Sequence, residues 1–258
     1  MFTTDRGGVK PRALILAAGV GRRLCEKTPE HLHRPKALLE FGGKSLLARH
    51  VEILRGAGIT SITVIIGYAG EAIRAALAQL LDGPPVSVVV NPDFREGSVV
   101  SLCAGREVLR TGDPVILMDA DVLYDRRLMT RLVESDLPNC LLLDRDIEPG
   151  DEPVKLCVRE GRIVDFDKRP SAAYEWHGES VGFFRFSGAT AAELADRTEH
   201  YVASGRRAKE HEEPIRDMII ASNPDRFGFE DISGLPWTEI DFPEDVVKAR
   251  ALFSELVA

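Results

Sequence analysis

Cysteine and aromatic residues are scarce in this 258-residue sequence, and long apolar runs are missing. The four cysteines form no Cys-x-x-Cys pair, and because Cys140 and Cys157 lie in apolar runs, we expect them to be buried core residues. No apolar run approaches the length of a membrane span, and residues 1–12 lack the basic-then-apolar order of a signal peptide. These shortages predict a cytoplasmic protein without membrane insertion.

An excess of positive charge is also missing, since the formal net charge is −8. A general nucleic-acid-binding protein needs a basic face, so this class is excluded. The composition, 44% apolar and 29% charged, is that of an ordinary globular protein. The length suffices for one large α/β domain or for two small ones. An acidic protein that binds an anion must gather its basic residues locally.

Short β-branched runs alternate with amphipathic segments through the first half of the chain. The predicted strands are 13–18, 61–67, 86–90 and 114–120, and the predicted helices are 45–58, 71–83 and 98–109. In the second of these helices, Ile73, Leu77 and Leu81 share one face. This alternation predicts βαβ units and a largely parallel sheet.

The pattern changes near residue 140, where strands begin to follow one another. A strand at 140–146 precedes a hairpin over 154–169 that turns at Glu160 and Gly161, and a further strand follows at 179–187. The later predicted elements are helices at 189–205 and 212–222, two strands at 226–232 and 236–241 that pair with each other, and a helix from Pro243. Because no internal repeat or linker interrupts it, we interpret this half as an extension of the same sheet in one domain.

Residues 14–39, LILAAGVGRRLCEKTPEHLHRPKALL, carry the strongest motif. An apolar strand ends at two glycines, two arginines follow, and a Pro-Lys pair comes later. This order of a strand end, a glycine turn and basic side chains is typical of phosphate binding. Two familiar versions are excluded, since a P-loop would need glycine at Leu38 and a dinucleotide fingerprint would need glycine at Leu24. The alternative is an ordinary glycine turn with solvated arginines.

Acidic residues follow another apolar strand in the run MDADVLYD. Asp119 and Asp121 lie at its carboxyl end and share a face in extended chain, where their oxygen atoms could hold Mg²⁺. Asp125 is better explained as the N-cap of the next helix. Late in the chain, alternation over 237–241, WTEID, puts the tryptophan and both acids on one face. Taken alone, that run is typical of an exposed strand edge.

The run LAAGVGRRL resembles the L-A-A-G-x-G-x-R signature of nucleotidyltransferases that activate sugar or alcohol phosphates, and Pro35-Lys36 is similar to their later P-K element. The resemblance extends through most of the chain. It implies an α/β fold, a single Rossmann-like domain over 1–258 with a mixed, mostly parallel central sheet flanked by helices. The nucleotide would lie across the carboxyl ends of the strands, with a nucleotide-binding half at about 11–125 and an acceptor-binding half at about 126–258.

The same resemblance implies a role for each motif. Arg23 and Lys36 would neutralise a triphosphate, and Asp121 and Asp241 would hold Mg²⁺ with Asp119 beside them. The nucleotide-binding residues would be Leu16, Ala17, Ala18, Gly19 and Gly21 in the loop, and Asn91, Ser98 and Ser101 near the base. The acceptor phosphate would attack the α-phosphorus and pyrophosphate would leave, so positioning and charge neutralisation would carry the catalysis.

The acceptor side has two lysines and several aromatic residues. Lys155 resembles the catalytic lysine of the amino-alcohol-phosphate branch, and Lys168 resembles the lysine of a sugar-enzyme E-K-P element, although Asp167 replaces the glutamate. Segment 91–105 resembles the N…S-L stretch of phosphocholine and aminoethylphosphonate cytidylyltransferases, which favours CTP. A cationic head group would need aromatic faces or a carboxylate, and the candidates are Tyr124, Tyr174, Trp176, Glu179 and Trp237. A neutral polyol phosphate would suit the same lysines.

We therefore predict Mg²⁺-dependent transfer of CMP from CTP to a small phosphorylated alcohol or phosphonate, with release of pyrophosphate. One alternative is a sugar-1-phosphate nucleotidyltransferase that uses UTP, GTP or dTTP. Another is a non-catalytic regulatory subunit, but such a protein has no need of the basic and acidic motifs together. A homodimer is compatible with each interpretation. His31 and His33 have no third ligand nearby, so phosphate contact or exposure is expected rather than metal binding.

Overall fold

The computed structural model describes residues 9–27, 34–147 and 153–256. His31, His33 and residues 1–8 lie outside the described residues. Within the described ranges, no helix has both the length and the apolar character that a membrane crossing requires.

The first half of the chain alternates strands and helices, as its apolar periodicity predicts. Its strands are β1 (Arg12–Ala17), β2 (Glu40–Phe41), β3 (Lys44–Ser45), β4 (Ile62–Ile66), β5 (Ser87–Val90), β6 (Val115–Asp119) and β7 (Val122–Tyr124). Its helices are α1 (Arg22–Glu26), α2 (Leu46–Gly56), α3 (Gly70–Ala78), α4 (Ser98–Ala104) and α5 (Arg106–Leu109), with a 3-10 turn at Lys36–Leu38.

The second half is richer in consecutive strands. Its strands are β8 (Cys140–Asp144), β9 (Lys155–Arg159), β10 (Arg162–Asp167), β11 (Trp176–Phe186), β12 (Gly228–Asp231) and β13 (Trp237–Glu239). Its helices are α6 (Arg126–Glu134), α7 (Gly188–Ala203), α8 (Glu212–Ala221) and α9 (Pro243–Leu256). The predicted hairpin turn between β9 and β10 is confirmed, since Glu160 and Gly161 both have positive φ angles, 53° and 75°.

A nine-stranded sheet joins the two halves, in the order β10-β9-β11-β6-β1-β4-β5 with β8 and β12 on the other edge of β11. The long β11 pairs with β9 through its first half and with β6 through its second. Strands β5, β4, β1, β6, β9, β8 and β12 run in one direction, and β10 and β11 run against them. The prediction of a mixed, mostly parallel sheet flanked by helices is confirmed.

Both faces of the sheet are covered by apolar layers. Along β1, Ile15 faces the layer that contains Leu47 of α2, whereas Leu14 faces the layer that contains Leu194 of α7. Such burial on both faces explains why the parallel strands read as continuous apolar runs. Cys140 and Cys157 are fully buried, as predicted, and so are Ala13, Leu14, Ile15, Leu117 and Leu141 of the core.

Three local predictions are wrong. Helix α3 ends at Ala78, so Leu81 does not share its buried face and is 84% exposed. The predicted helix over 98–109 is divided at Gly105 into α4 and α5. The two late strands do not pair with each other, because β12 joins β8 and β13 joins β7. This last difference matters for the site, since β13 brings distant acids beside the loop after β6.

A buried histidine lies behind that loop. His50 on α2 is fully buried, with its Nε2 3.2 Å from the carbonyl oxygen of Ala120 and its ring stacked on Tyr124 at a centroid distance of 5.3 Å. Its Nδ1 has no hydrogen-bond partner in the described part of the chain. Burial lowers the pKa of His50 to about 4, although the Ala120 carbonyl and Asp121 act in the opposite direction.

His50 is expected to make folding stability fall as the pH drops below neutrality. An unfolded histidine binds a proton below about pH 6.5, whereas folded His50 stays neutral until about pH 4. The contribution is therefore complete above the unfolded pKa and is lost as pH falls toward the folded one, by about 2 kcal/mol at about pH 5. In His50→Gln, the free energy of unfolding by urea should not show this loss between about pH 7.5 and about pH 5.

The control is His200→Gln, at an exposed position on α7, whose free energy of unfolding should still fall with pH as in wild type. An equal pH dependence in wild type and His50→Gln would contradict the prediction.

Candidate functional site

A cleft of about 1070 Å³ opens at the carboxyl ends of β1 and β6 and continues past the middle of β11. Its wall includes the loop after β1, the start of α4, the loop before α8 and the segment from β13 into α9. Ligands of α/β sheets bind at the carboxyl ends of the strands, and this volume suits a nucleotide with a small second substrate. We name this space the central cleft.

The glycine loop and the Pro-Lys element meet at the central cleft. Gly21 has a φ of +65°, and a Cβ there would lie 3.1 Å from the Cγ of Lys36, which begins the 3-10 turn after Pro35. Glycine therefore lets the loop backbone lie against the lysine stem. The loop residues Leu16, Ala18, Gly19 and Gly21 line the cleft, whereas Ala17 packs in the core.

Lys36 lies between two carboxylates. Its Nζ is 3.0 Å from Asp121 Oδ2 and also donates to Asp241 Oδ1, and only 14% of its side chain is exposed. Arg23 Nη1 donates to the other oxygen of Asp241 at 2.7 Å. Burial would lower the pKa of Lys36, but Asp121 and Asp241 outweigh it and raise the pKa above its ordinary value. The ammonium therefore stays charged.

Asp121, Glu239 and Asp241 form what we name the oxygen cluster, because each supplies a carboxylate oxygen within 4.8 Å of the other two. The antiparallel pairing of β7 with β13 brings them together, with Glu239 opposite Val122. The Ile240 N–H also donates to the Asp121 carbonyl at 3.0 Å. An all-oxygen ligand set fits a hard divalent cation.

The negative charges of the oxygen cluster oppose one another. Glu239 is an exposed residue by its accessible surface, yet its carboxyl group is crowded by protein atoms, and burial together with Asp121 and Asp241 raises its pKa well above the usual range. Burial acts in the same direction on Asp241, but Lys36 and Arg23 lower its pKa overall. The sequence placed Glu239 on the face of Asp241 without giving it a role; its position now makes it a candidate ligand.

Asp119 belongs to a different group from the one that the sequence indicated. It ends β6 and groups with His211 and Glu212 at the start of α8, within 4.8 Å, rather than with the oxygen cluster. Alternation along the strand predicted the shared face with Asp121 but carried no information about α8. His211 and Glu212 were missed because no local pattern links them to the carboxyl end of β6.

Asn91, Ser98 and Ser101 lie near the start of α4, and the two serines line the central cleft. Asn91 is 2% exposed and donates from Nδ2 to Ser101 Oγ at 3.0 Å. Ser98 Oγ donates to Glu210 at 2.6 Å and accepts from the His211 N–H at 2.7 Å. Asn91 therefore holds Ser101 in place. Because Asn91 is buried and Ser101 lines the cleft, Ser101 is the one of the two that could contact a base.

The acceptor candidates Lys168, Glu179 and Trp237 also line the central cleft. Trp237 Nε1 donates to Asp144 Oδ2 at 2.7 Å, which fixes the indole on the wall. Lys155 is not part of the described wall; its Nζ donates to the carbonyl of Lys168 at 2.9 Å. Its place in the structure is thus behind Lys168, where it supports the end of the hairpin.

Two aromatic residues that the sequence assigned to the acceptor lie elsewhere, and these assignments are corrected. Tyr124 is 5% exposed and packs edge-on against Phe183 in the core, with ring centroids 4.8 Å apart. Trp176 packs edge-on against Phe229 at 5.7 Å and has the Arg145 guanidinium over its ring. Both rings stabilise the fold outside the cleft wall. Tyr174 is absent from the described wall as well.

Acidic residues outnumber basic ones on the described wall of the central cleft. The acids are Glu96, Asp119, Asp121, Asp144, Asp146, Glu179, Glu210, Glu212, Glu239, Asp241, Glu244 and Asp245. The basic residues are Arg22, Arg23, Lys36, Arg95, Lys168 and Lys248. Lys36 and Arg23 are already engaged with the oxygen cluster, so their positive charge goes first to those carboxylates rather than to the rest of the acidic wall.

Comparison with known proteins places this geometry in context. The chain is 28% identical over 258 residues to the CMP-5'-(3-aminopropyl)phosphonate synthase of Streptomyces rubellomurinus, an alignment that covers 95% of this chain and 39% of that protein. It is 30% identical over 248 residues to the bifunctional IPC transferase and DIPP synthase of Rubrobacter xylanophilus, covering 95% and 52%. The chain thus spans about two fifths to one half of the length of these curated relatives.

A solved structure and a family model agree with these matches. The structure of the CTP:phosphocholine cytidylyltransferase from Streptococcus pneumoniae has a TM-score of 0.73 at 22% identity, covering 95% of this chain and 99% of that one, so the two share the fold. Residues 13–158 match the model of the MobA-like NTP transferase domain. That match contains the glycine loop, Lys36 and Asp121 and covers more than half of the sequence, so the chain belongs to the MobA-like NTP transferase family.

Proposed function

We propose that this chain is a Mg²⁺-dependent cytidylyltransferase that transfers CMP from CTP to a small phosphorylated alcohol or phosphonate and releases pyrophosphate. The observation that carries the proposal is the meeting of the glycine loop, Lys36, Arg23 and the oxygen cluster at one end of the central cleft. These are the groups that a triphosphate and its cation require, brought together from three distant parts of the chain.

The chemistry follows from the charges of the reactants. CTP and a phosphorylated acceptor repel each other in water, so positive charge must be held between them. Asp121, Glu239 and Asp241 would hold Mg²⁺, which supplies part of that charge. Lys36 and Arg23 would exchange their bonds to Asp241 for bonds to phosphate oxygens. The acceptor oxygen then attacks the α-phosphorus, the bond to pyrophosphate breaks, and no protein nucleophile is needed.

The preference for CTP is supported by the relatives rather than by one contact. The names of the Streptomyces and Streptococcus proteins refer to CMP and to CTP, and the resemblance of segment 91–105 to cytidylyltransferases agrees with them. Ser101 is the polar side chain that Asn91 presents to this part of the cleft. We expect a pyrimidine base to lie against it.

The charge of the cleft supports an acceptor with an anionic and a cationic end. Lys168 could bind the phosphate or phosphonate, while Asp146 and Glu179 on the same wall could face an ammonium group. A neutral polyol would offer these carboxylates hydroxyl groups but no positive charge. We therefore favour an amino-alcohol phosphate or an aminoalkylphosphonate as the acceptor.

Pyrophosphate release with purified protein tests the proposal. Each of CTP, UTP, GTP, ATP and dTTP is combined with phosphocholine, 2-aminoethylphosphonate, inositol phosphate or glucose-1-phosphate, with and without Mg²⁺. We expect release with CTP, Mg²⁺ and one of the two cationic acceptors. Release that requires glucose-1-phosphate and another triphosphate would instead establish the sugar-phosphate alternative. Release with inositol phosphate alone would keep the cytidylyltransferase and overturn the cationic acceptor.

A further inference from the structure

A second group of metal-type ligands lies on the wall of the central cleft. Asp119 at the end of β6, with His211 and Glu212 at the start of α8, each supply one ligand atom within 4.8 Å of the others. We name this group the histidine cluster. It shares no residue with the oxygen cluster, and the proposed cytidylyl transfer makes no use of its histidine.

The histidine cluster contains buried polar atoms without partners. The His211 side chain is 5% exposed, and its Nε2 has no hydrogen-bond partner among the described residues but lies 3.7 Å from Asp119 Oδ2. Glu212 Oε2 is likewise buried; it lies 3.1 Å from His211 Nδ1 without hydrogen-bond geometry. Buried polar atoms in folded proteins nearly always have a partner, so these two atoms indicate a missing ligand.

The surroundings hold the cluster in a fixed shape. The His211 N–H donates to Ser98 Oγ, and the Gly97 N–H donates to the Arg207 carbonyl at 2.8 Å, so the loop before α8 is tied to the start of α4. On the other side, Gly182 has a φ of +75°, and a Cβ there would collide with Asp119 Oδ2. Glycine at this point of β11 therefore keeps space for the carboxylate.

Negative charge is in excess at the histidine cluster. The carboxylates of Asp119 and Glu212 lie within 4.8 Å of each other, and the Lys36 ammonium already bonds to Asp121 and Asp241. A cation placed between Asp119 and Glu212 would relieve this repulsion.

We propose that Asp119, His211 and Glu212 form a second divalent-cation site, which takes a transition metal such as Zn²⁺ in preference to Mg²⁺. One imidazole nitrogen with two carboxylates is a ligand set of zinc and related ions, whereas Mg²⁺ prefers oxygen ligands. Tetrahedral bonds of about 2.1 Å separate two ligand atoms by about 3.4 Å, close to the spacing of His211 Nε2 and Asp119 Oδ2. Three protein ligands leave a fourth position, which a water or a substrate oxygen on the cleft side would fill.

Zinc binding by the intact 258-residue chain, freed of metal and held in excess Mg²⁺, tests this site. Because Mg²⁺ fills an all-oxygen site, the zinc retained after equilibrium dialysis should reside in the histidine cluster. We expect one Zn²⁺ per chain for wild type and for the matched control His200→Ala on α7. In His211→Ala, the zinc affinity should fall by more than about tenfold. The visible absorption of bound Co²⁺ gives a second readout, since its spectrum should lose its tetrahedral character in the same variant.

Two further variants keep the test decisive. Circular dichroism checks folding, and Glu212→Gln replaces His211→Ala if the latter does not fold. Asp241→Asn should keep its zinc, because it alters the oxygen cluster alone. Absence of zinc from wild type, equal affinity in His211→Ala, or loss of zinc in Asp241→Asn but not in His211→Ala would each overturn the proposal. No nucleotide is present, so this result stands apart from the pyrophosphate assay.

Discussion

Asp121→Asn and Asp241→Asn are each expected to lower kcat/KM for CTP by at least about a hundredfold with the fold intact. Each residue supplies one oxygen of the oxygen cluster and one bond to Lys36. An amide keeps the size of the side chain but removes the charge that a divalent cation needs. Added Mg²⁺ should recover part of the lost rate, because the defect lies in cation binding. Pyrophosphate release over a Mg²⁺ titration measures both effects.

Asp125→Asn is the matched control for this experiment. Asp125 follows β7, four residues after Asp121, and caps α6, where its Oδ1 accepts from the Arg127 N–H at 2.8 Å; it lies outside the described cleft wall. Asparagine caps a helix about as well as aspartate, so stability and turnover should stay near wild type. Full turnover in both Asp121→Asn and Asp241→Asn would contradict the assignment of the oxygen cluster. A matching loss in Asp125→Asn would show that the assay reports folding of this segment instead.

Local sequence patterns predicted the parts of the site that lie next to a strand end. The glycine loop follows β1 directly and Asp121 follows β6, so the continuous apolar runs of those strands were enough to place these residues at the carboxyl edge of the sheet. Lys36 and Asp241 came from the family resemblance, and the structure brings both to the same place. The α/β fold and the mixed sheet are confirmed, whereas the catalytic roles of these residues stay predictions.

Contacts between distant segments could not be predicted in this way. Asp119 meets His211 only because the loop before α8 is tied to α4, an arrangement that depends on tertiary hydrogen bonds rather than on periodicity. Tyr124 lies in a three-residue strand, too short for alternation to identify its buried face. Pairing of β7 with β13 covers that strand and turns Tyr124 toward His50 and Phe183. Aromatic residues near a site are therefore weak evidence for a ligand cage until their packing is known.

Lys36→Met is expected to lower kcat/KM for CTP by about 10²–10³-fold and, at the same time, to increase the stabilisation of the protein by Mg²⁺. The ammonium lies between Asp121 and Asp241, where it neutralises negative charge that a bound cation would otherwise neutralise. Without it, the negative charge of the oxygen cluster is compensated only by Arg23, which bonds to Asp241, among the basic side chains described above. The melting temperature without Mg²⁺ should fall, and the rise on adding Mg²⁺ should exceed that of wild type.

Lys44→Met is the control, because Lys44 pairs with Glu52 at the surface and its side chain is 53% exposed. Both its turnover and its Mg²⁺ response should match those of wild type. The two readouts for Lys36→Met separate its roles, since the rate reports contact with the triphosphate and the melting shift reports competition with the cation. Wild-type turnover in Lys36→Met would contradict the first role, and an unchanged Mg²⁺ shift would contradict the second. A slow variant with a larger Mg²⁺ shift would establish Lys36 as the group that holds the oxygen cluster together until the nucleotide and its cation arrive.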